Sequence, residues 1–264
     1  MEYKYKTQTL YIIMDTKATI VTAYFKLEKS KASHAKYLAW MRNMLIIDNP
    51  MVIFCDASSV PLIQRLRELA GHAAQTHVIP TRFEEFYCYR YNDVFKKHME
   101  IDHERAIHSV ELYLIWNEKS NFLLRAIEAN PFSTEKFVWC DIGCFRRTNT
   151  EFVKWPNPGR IPNDKITLMV VEPFTEDELR TNMPTFQYKN RISASIFAGH
   201  SDTLRRWHQI YYAMLERFIG IGRFIGKDQS IMNNVYLANR EMCEMVRYQP
   251  GRGDIWFYLQ YHLL

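Results

Sequence analysis

Residues 137–145 read Phe-Val-Trp-Cys-Asp-Ile-Gly-Cys-Phe, an apolar run that closes on one carboxylate, Asp141, with Gly143 two positions on. Four or five apolar residues ended by Asp and Gly have the pattern of a buried strand that delivers a carboxylate to the carboxyl edge of a sheet, where open α/β sheets bind their ligands. An anion in that place needs a partner. Hard cations take oxygen ligands, and magnesium-type ions are shared between one or two carboxylates and substrate phosphates. A divalent cation and a phosphorylated ligand are therefore the chemistry this motif suits. The competing reading is a strand-end Asp that starts a turn before Gly143.

A second apolar run, Met51 to Asp56 (MVIFCD), also closes on Asp. Further on, glycines 220, 222 and 226 invite a phosphate-loop reading that fails on spacing. A Walker loop ending at Gly226-Lys227 needs glycine at 221, which is Ile, and Ser or Thr at 228, which is Asp. A dinucleotide fingerprint fails as well, because the third glycine falls late and no strand plainly precedes it. What remains is Gly-Lys-Asp-Gln-Ser at 226–230, followed by Ile231, Val235 and Ala238 at helical spacing, which puts Asp228 at or beside an N-cap.

These residues need elements to hold them, and the pattern supplies strands alternating with helices. Thr19 to Phe25 (TIVTAYF) is β-branched and aromatic, and 51–56 is its apolar successor. Between them Ser33 to Leu45 carries Tyr37, Leu38, Trp40, Met41, Met44 and Leu45 at helical spacing, with Asp48-Asn49-Pro50 as the stop. A crossover of this size implies parallel pairing and a right-handed connection. Helix is expected over Val60 to Ala74 and, without firm boundaries, over Glu84 to Ser109; a short strand is expected over His77 to Pro80. Asn117 reads as the N-cap of a helix running to Asn130, where Pro131 stops it and the chain enters the Asp141 strand as the fourth of the series. A Pro- and Gly-rich loop at 155–160 precedes a strand over Ile166 to Glu172, and a polar loop leads to a strand over Ile192 to Gly199. Asp202 then opens a helix whose stripe Leu204, Trp207, Tyr211, Met214 and Phe218 belongs to the core.

Composition sets the outer limits. At 264 residues, 47% of them hydrophobic, the chain has enough apolar surface for a sizeable core. No stretch approaches the roughly 18 apolar residues of a membrane span, and the start, Met-Glu-Tyr-Lys-Tyr-Lys-Thr-Gln, has no apolar signal core, so a cytoplasmic location without a transmembrane segment is expected. Five cysteines, odd in number and scattered, suit reduced core thiols. The net charge of +5 would suit an anionic ligand, yet it is small for a chain of this length.

The series TIVTAYF (19–25), YLAWMRNML (37–45), PMVIFCD (50–56), ELYLIWNEKSNFL (111–123), NPFSTEKFVWCDIGCFR (130–146), SIFAGH (195–200) and GKDQSIMNNV (226–235) resembles the HtrL/YibB-type family of glycosyltransferases over nearly the whole chain. Its known members are bacterial, with relatives that include large viruses of algae, where xylose transfer onto a capsid glycan is the sharper reading. The resemblance implies an α/β GT-A fold, a Rossmann-like, mostly parallel sheet flanked by helices, as a single domain over 1–264 with a nucleotide-sugar half to about 146 and an acceptor half over 147–264. It implies a UDP-sugar donor, UDP-xylose among the candidates, a Mn2+ or Mg2+ ion, a glycan acceptor and no nucleic acid.

By the same resemblance Asp141 fills the metal-binding place of the GT-A Asp-x-Asp motif, with Gly143 where a second Asp often sits. His262 matches the C-terminal histidine that often supplies a further metal ligand. Thr22, Ala23 and Tyr24 fall on the first strand's exit, where the fold holds the nucleotide, and Asp56 in the place that bonds uracil or ribose. Asp228 takes the position of the base in an inverting transfer. Charge builds on the leaving diphosphate, so Lys119 and Arg65 are basic candidates to offset it. Two other classes stand beside this one. A non-catalytic nucleotide-sugar or glycan-binding module would keep Thr22–Tyr24 and Asp56 without requiring Asp228. A nucleic-acid-binding protein would use aromatics beside Arg, as in Tyr87-Cys-Tyr-Arg-Tyr91.

Overall fold

The computed structural model describes residues 17–148, 150–186 and 189–264. The expectations about the chain's first residues, the missing signal core and the domain start at residue 1, lie outside the described residues. In chain order the elements are β1 (Thr19–Tyr24), α1 (His34–Leu45), β2 (Met51–Cys55), α2 (Val60–Leu69), β3 (Thr76–Pro80), α3 (Asn92–Glu100), α4 (Val110–Ala129), β4 (Lys136–Cys140), β5 (Ile166–Val170), α5 (Glu176–Arg180), β6 (Ile192–His200), α6 (Ser201–Gly220), α7 (Asp228–Ala238), β7 (Cys243–Arg247) and α8 (Leu259–His262).

The strands form one sheet in the order β3-β2-β1-β4-β6-β5-β7. The first four run parallel, as the β1–α1–β2 crossover requires, and β6 alone runs against its neighbours β4 and β5. The result is the expected α/β architecture, a mostly parallel sheet with helices on both faces. Every residue of β1 and β2 is buried, as in strands covered on two sides. On one face Val21, Phe54, Phe137 and Trp139 pack under α4, α6 and α7; on the other Ile20, Ile53, Val138 and Cys140 meet Met41 and Met44 of α1 and the C-terminal Tyr258 and Leu259. Alternation along β4 thus puts Asp141 on the face of Trp139 and α4. Because β6 is reversed, its early residues lie beside β4's exit, where the Asp141 N–H donates to the Ser195 carbonyl at 2.8 Å.

Two expectations about elements are corrected. The N-cap of α4 is Ser109, whose hydroxyl accepts the Leu112 N–H, while Asn117 lies buried inside the helix. Its amide donates to the carbonyls of Tyr113 and Ile225, and its oxygen accepts from Tyr211. The stretch 84–109 is mostly short turns, with α3 its one α-helix, because the buried Glu118 carboxylate takes the N–H groups of Tyr87 and Cys88 and so holds that chain across α4. Smaller shifts occur at ends: α2 stops at Leu69 and β5 at Val170. The core stripe of α6 is buried as expected, and all five cysteines are buried and unpaired.

Candidate active site

The middle of α4, Asn117-Glu-Lys-Ser-Asn121, is polar in every position and buried in every position. Such a belt is costly unless its groups are paired. Lys119 shows how this one is paired. Its Nζ lies 3.1 Å from Asp141 Oδ1 and 3.0 Å from Asp228 Oδ2, and donates to the Ala194 carbonyl at 3.0 Å. The contact with Asp228 is a buried ion pair. Burial by itself would lower the ammonium's pKa, but the two carboxylates outweigh it and hold Lys119 above the ordinary lysine value, fully charged. Burial pushes the Asp228 carboxyl up, against the pull of Lys119.

The two carboxylates on this ammonium differ in exposure: the Asp141 side chain is 36% exposed and that of Asp228 7%. The Trp139 indole N–H donates to Asp141 Oδ1 at 2.8 Å, which fixes the carboxylate's plane. Beyond it opens a cleft of about 480 Å³, the size of a small-molecule site, with Asp141 and Trp139 on its floor. Its walls are Tyr24, Tyr37 and Trp116, the loop over 26–33, Arg146, and Phe257 from the C-terminal segment. The Tyr24 hydroxyl is 2.7 Å from His34 Nδ1 at the start of α1. Gly143 is where the loop after β4 passes over α1: a Cβ there would stand 3.2 Å from Tyr37 and 3.3 Å from Trp40.

Of the residues expected to form the site, Ala23, Tyr24, Asp141 and Gly143 line this cleft together. Lys119 lies beneath it and reaches it through Asp141. Thr22 is fully buried one residue short of the edge, its hydroxyl without a partner. Asp228 is sealed under Lys119; its backbone is the first residue of α7, after Lys227 as N-cap, and its Oδ1 accepts the Gln229 N–H at 2.8 Å. Asp56 caps the turn into α2, taking the Ser59 N–H at 3.0 Å and hydroxyls of Ser58 and Ser59. Arg65 is exposed on α2 and pairs with Glu68 at 2.8 Å. His262 lies beside Glu244 and Arg160. Register places Glu244 level with Val138, three residues before Asp141, and three strand spacings, about 14 Å, to the side. His262 and Asp141 are therefore not brought together. In the Tyr87–Tyr91 run Cys88 alone is buried, while exposed Arg90 stacks on Tyr87 and Tyr91 bonds Glu216 at the surface.

This donor set does not fit a resident divalent ion. Among the described residues no three His, Cys, Asp or Glu side chains gather to hold one. Asp141 already satisfies one oxygen with the indole and the ammonium, Gly143 has no donor to add, and Lys119 holds the cationic position between the carboxylates. Trp139, Arg146 and Phe257 are among the residues of the site that escape the sequence reading. Trp139 was reachable, since alternation puts positions 139 and 141 on one face. Arg146 and Phe257 carry no local signal, because what unites them is a contact between segments about a hundred residues apart.

No curated protein matches the sequence. Among solved structures, the crystal structure of mouse xyloside xylosyltransferase 1 in its apo form is similar at a TM-score of 0.47 and 12% identity, over 88% of this chain and 85% of that one, a likeness too distant to bear on function. A family model described as bacterial protein of unknown function (HtrL_YibB) matches residues 16–261. With that span covered, the chain belongs to the HtrL_YibB family.

Proposed function

We propose that this protein is a glycosyltransferase of GT-A type that binds a nucleotide sugar, a UDP-sugar such as UDP-xylose first among them, in the cleft above Asp141 and transfers the sugar to a glycan acceptor. The observation that carries this reading is the cleft itself, set at the carboxyl edge of the parallel strands β1 and β4 with one held carboxylate on its floor. Residues to about 146 form the donor half in this reading, and 147–264 the acceptor half. Breaking a sugar–phosphate bond places charge on the leaving diphosphate, and Lys26, Lys29 and Lys31 on the cleft's loop supply positive charge for it. An inverting transfer also needs a carboxylate to accept the acceptor hydroxyl's proton. Asp228 was the expected base, but Asp141 is the one of the Lys119-bound pair that faces the cleft, so the role passes to Asp141 and Asp228 becomes the anchor of Lys119.

The test is a thermal-shift panel of UDP-, GDP- and CMP-sugars, followed by a transfer assay on two variants. A donor that binds the folded chain raises its melting temperature. Asp141→Asn is expected to fold and to lose about 100-fold or more in turnover, while Asp228→Asn stays within about tenfold of wild type. The reverse order would return the proton acceptor to Asp228. Donor binding without transfer for any acceptor would favour the binding-module class instead.

A further inference from the structure

We propose that Arg146 is the group that binds the phosphates of the ligand in this cleft, an inference that rests on the nucleotide-sugar reading above. The Arg146 guanidinium lies 3.4 Å from the centroid of the Trp40 ring and 4.9 Å from that of Phe257, and it lines the cleft together with Asp141 and Gly143. Some arginines of this chain are matched to carboxylates, Arg65 to Glu68, Arg82 to Glu85, Arg180 to Glu176, and Arg191 to Glu172 and Glu178, and others, Arg67 and Arg223, to carbonyls, while Arg90 and Arg125 lie over rings as Arg146 does but do not line the cleft. Arg146 makes no such pair among the described residues, although it stands within electrostatic reach of Asp141 and Asp254. A guanidinium that lies flat on aromatic faces keeps the N–H edges of its fork free, and that fork matches a phosphate's oxygens two at a time.

The stack is built into the fold. Gly143 lets the loop after β4 lie directly on α1, which brings Arg146 over Trp40. From the other side, the hydroxyls of Ser193 and Ser195 donate to the Trp256 carbonyl at 2.9 and 2.8 Å and so pin the segment that carries Phe257. The carbonyl of the same Ser195 holds the Asp141 N–H. One strand, β6, thereby fixes the carboxylate and the arginine's platform relative to each other, and a group held in advance loses less freedom on binding. Lys26, Lys29 and Arg146 line the cleft with the carboxylates Glu28 and Asp141, and Lys31, also on the lining, is shared with Glu104; with Asp141 already neutralised by Lys119, the charge left to a ligand is positive, so an anion is what the cleft favours.

The experiment is calorimetric titration of UDP, uridine and inorganic pyrophosphate into wild type, Arg146→Lys and Arg146→Gln, with melting temperature as the check on folding. Wild type is expected to bind UDP more tightly than uridine. Arg146→Gln should weaken UDP about tenfold or more, the scale of a lost charge-assisted hydrogen bond, and leave uridine unchanged. Arg146→Lys keeps the charge without the planar fork and should fall between them. If Arg146→Gln binds UDP as tightly as wild type, the inference fails while the nucleotide-sugar reading stands. If wild type binds no nucleotide but binds pyrophosphate through Arg146, the phosphate site stands and the nucleotide-sugar reading fails. Binding of neither overturns both.

Discussion

Strands β2 and β4 end alike in sequence, Phe-Cys-Asp56 and Trp-Cys-Asp141, and diverge with the next residue. After Asp56 come Ala-Ser-Ser, small residues that turn back, and the carboxylate is consumed by them as the cap of a turn. After Asp141 come Ile142, Gly143, Cys144 and Phe145, which bury themselves and draw the chain away. That carboxylate is left with an indole, an ammonium and open cleft. The apolar run before a strand-end carboxylate says where it will stand; the residues after it decide whether it is free to act. At the β2 exit the partners are local and the role is structural. The partner at the β4 exit is Lys119 on a packed helix, and the side chain stays half open.

The largest expected effect separates the two exits through Lys119. Replacing it by Met leaves Asp141 and buried Asp228 without their cation, and breaking a buried pair on one side costs about 3–5 kcal/mol. Urea unfolding should show that loss, and Lys119→Met combined with Asp228→Asn should recover part of it by removing the deeper charge. A Lys119→Met protein as stable as wild type would mean that the ammonium is not what holds the β4 exit together. No substitution at the β2 exit is expected to approach this size, because its carboxylate is bonded mainly by its own neighbours.

The same contrast explains what was legible in advance. β1, α1, β2, β4, β6 and the α6 stripe follow from period and stop signals that lie within each segment. The polar run Asn117-Glu-Lys-Ser-Asn121 makes Asn117 look like a helix cap, because a sequence window cannot show that Tyr87, Tyr211, Ala194 and Asp228 arrive to pair those groups. The place of Asp141 at the end of a buried strand was legible, but its companions were not: Lys119 and Asp228 were expected to have separate tasks, whereas the fold joins all three. His262 was matched by its place near the chain end, and chain position says little about which end of a sheet a segment returns to. Asp56 was read by the run before it, which it shares with Asp141, and the serines after it carry the deciding information.

A smaller effect sharpens the comparison from the other side. Asp56→Ala removes the cap at the β2 exit and is expected to cost about 1 kcal/mol of stability while leaving UDP affinity at the wild-type value, since Asp56 does not line the cleft. Asp141→Asn is expected to show the opposite pattern, a large loss of turnover with a small change in stability. A several-fold loss of UDP affinity in Asp56→Ala, seen by calorimetry, would make the two exits functionally alike and restore the nucleoside role expected for Asp56.

The smallest effect is one of pH. Burial acts to raise the Asp56 carboxyl, but hydrogen bonds from Ser58 and Ser59 and from the Lys26 and Ser59 N–H groups outweigh it and hold the group below its ordinary value of 3.8. A carboxyl depressed on folding contributes stability that is fully present above its unfolded pKa of about 3.9 and is lost as pH falls through the folded value. Asp56→Asn keeps a capping oxygen and has no proton to gain. The stability gap between wild type and Asp56→Asn should therefore be widest near pH 6, at about 1 kcal/mol or less, and should shrink steadily on the way to pH 3. Other depressed carboxyls, such as Glu178 paired with Arg191 and Lys189, titrate in both proteins and cancel in the difference. Urea unfolding of both at several pH values measures the gap. A gap that stays constant with pH would mean that the charge at Asp56 is not what the cap uses, and the distinction between a consumed carboxylate at β2 and a free one at β4 would lose its electrostatic basis.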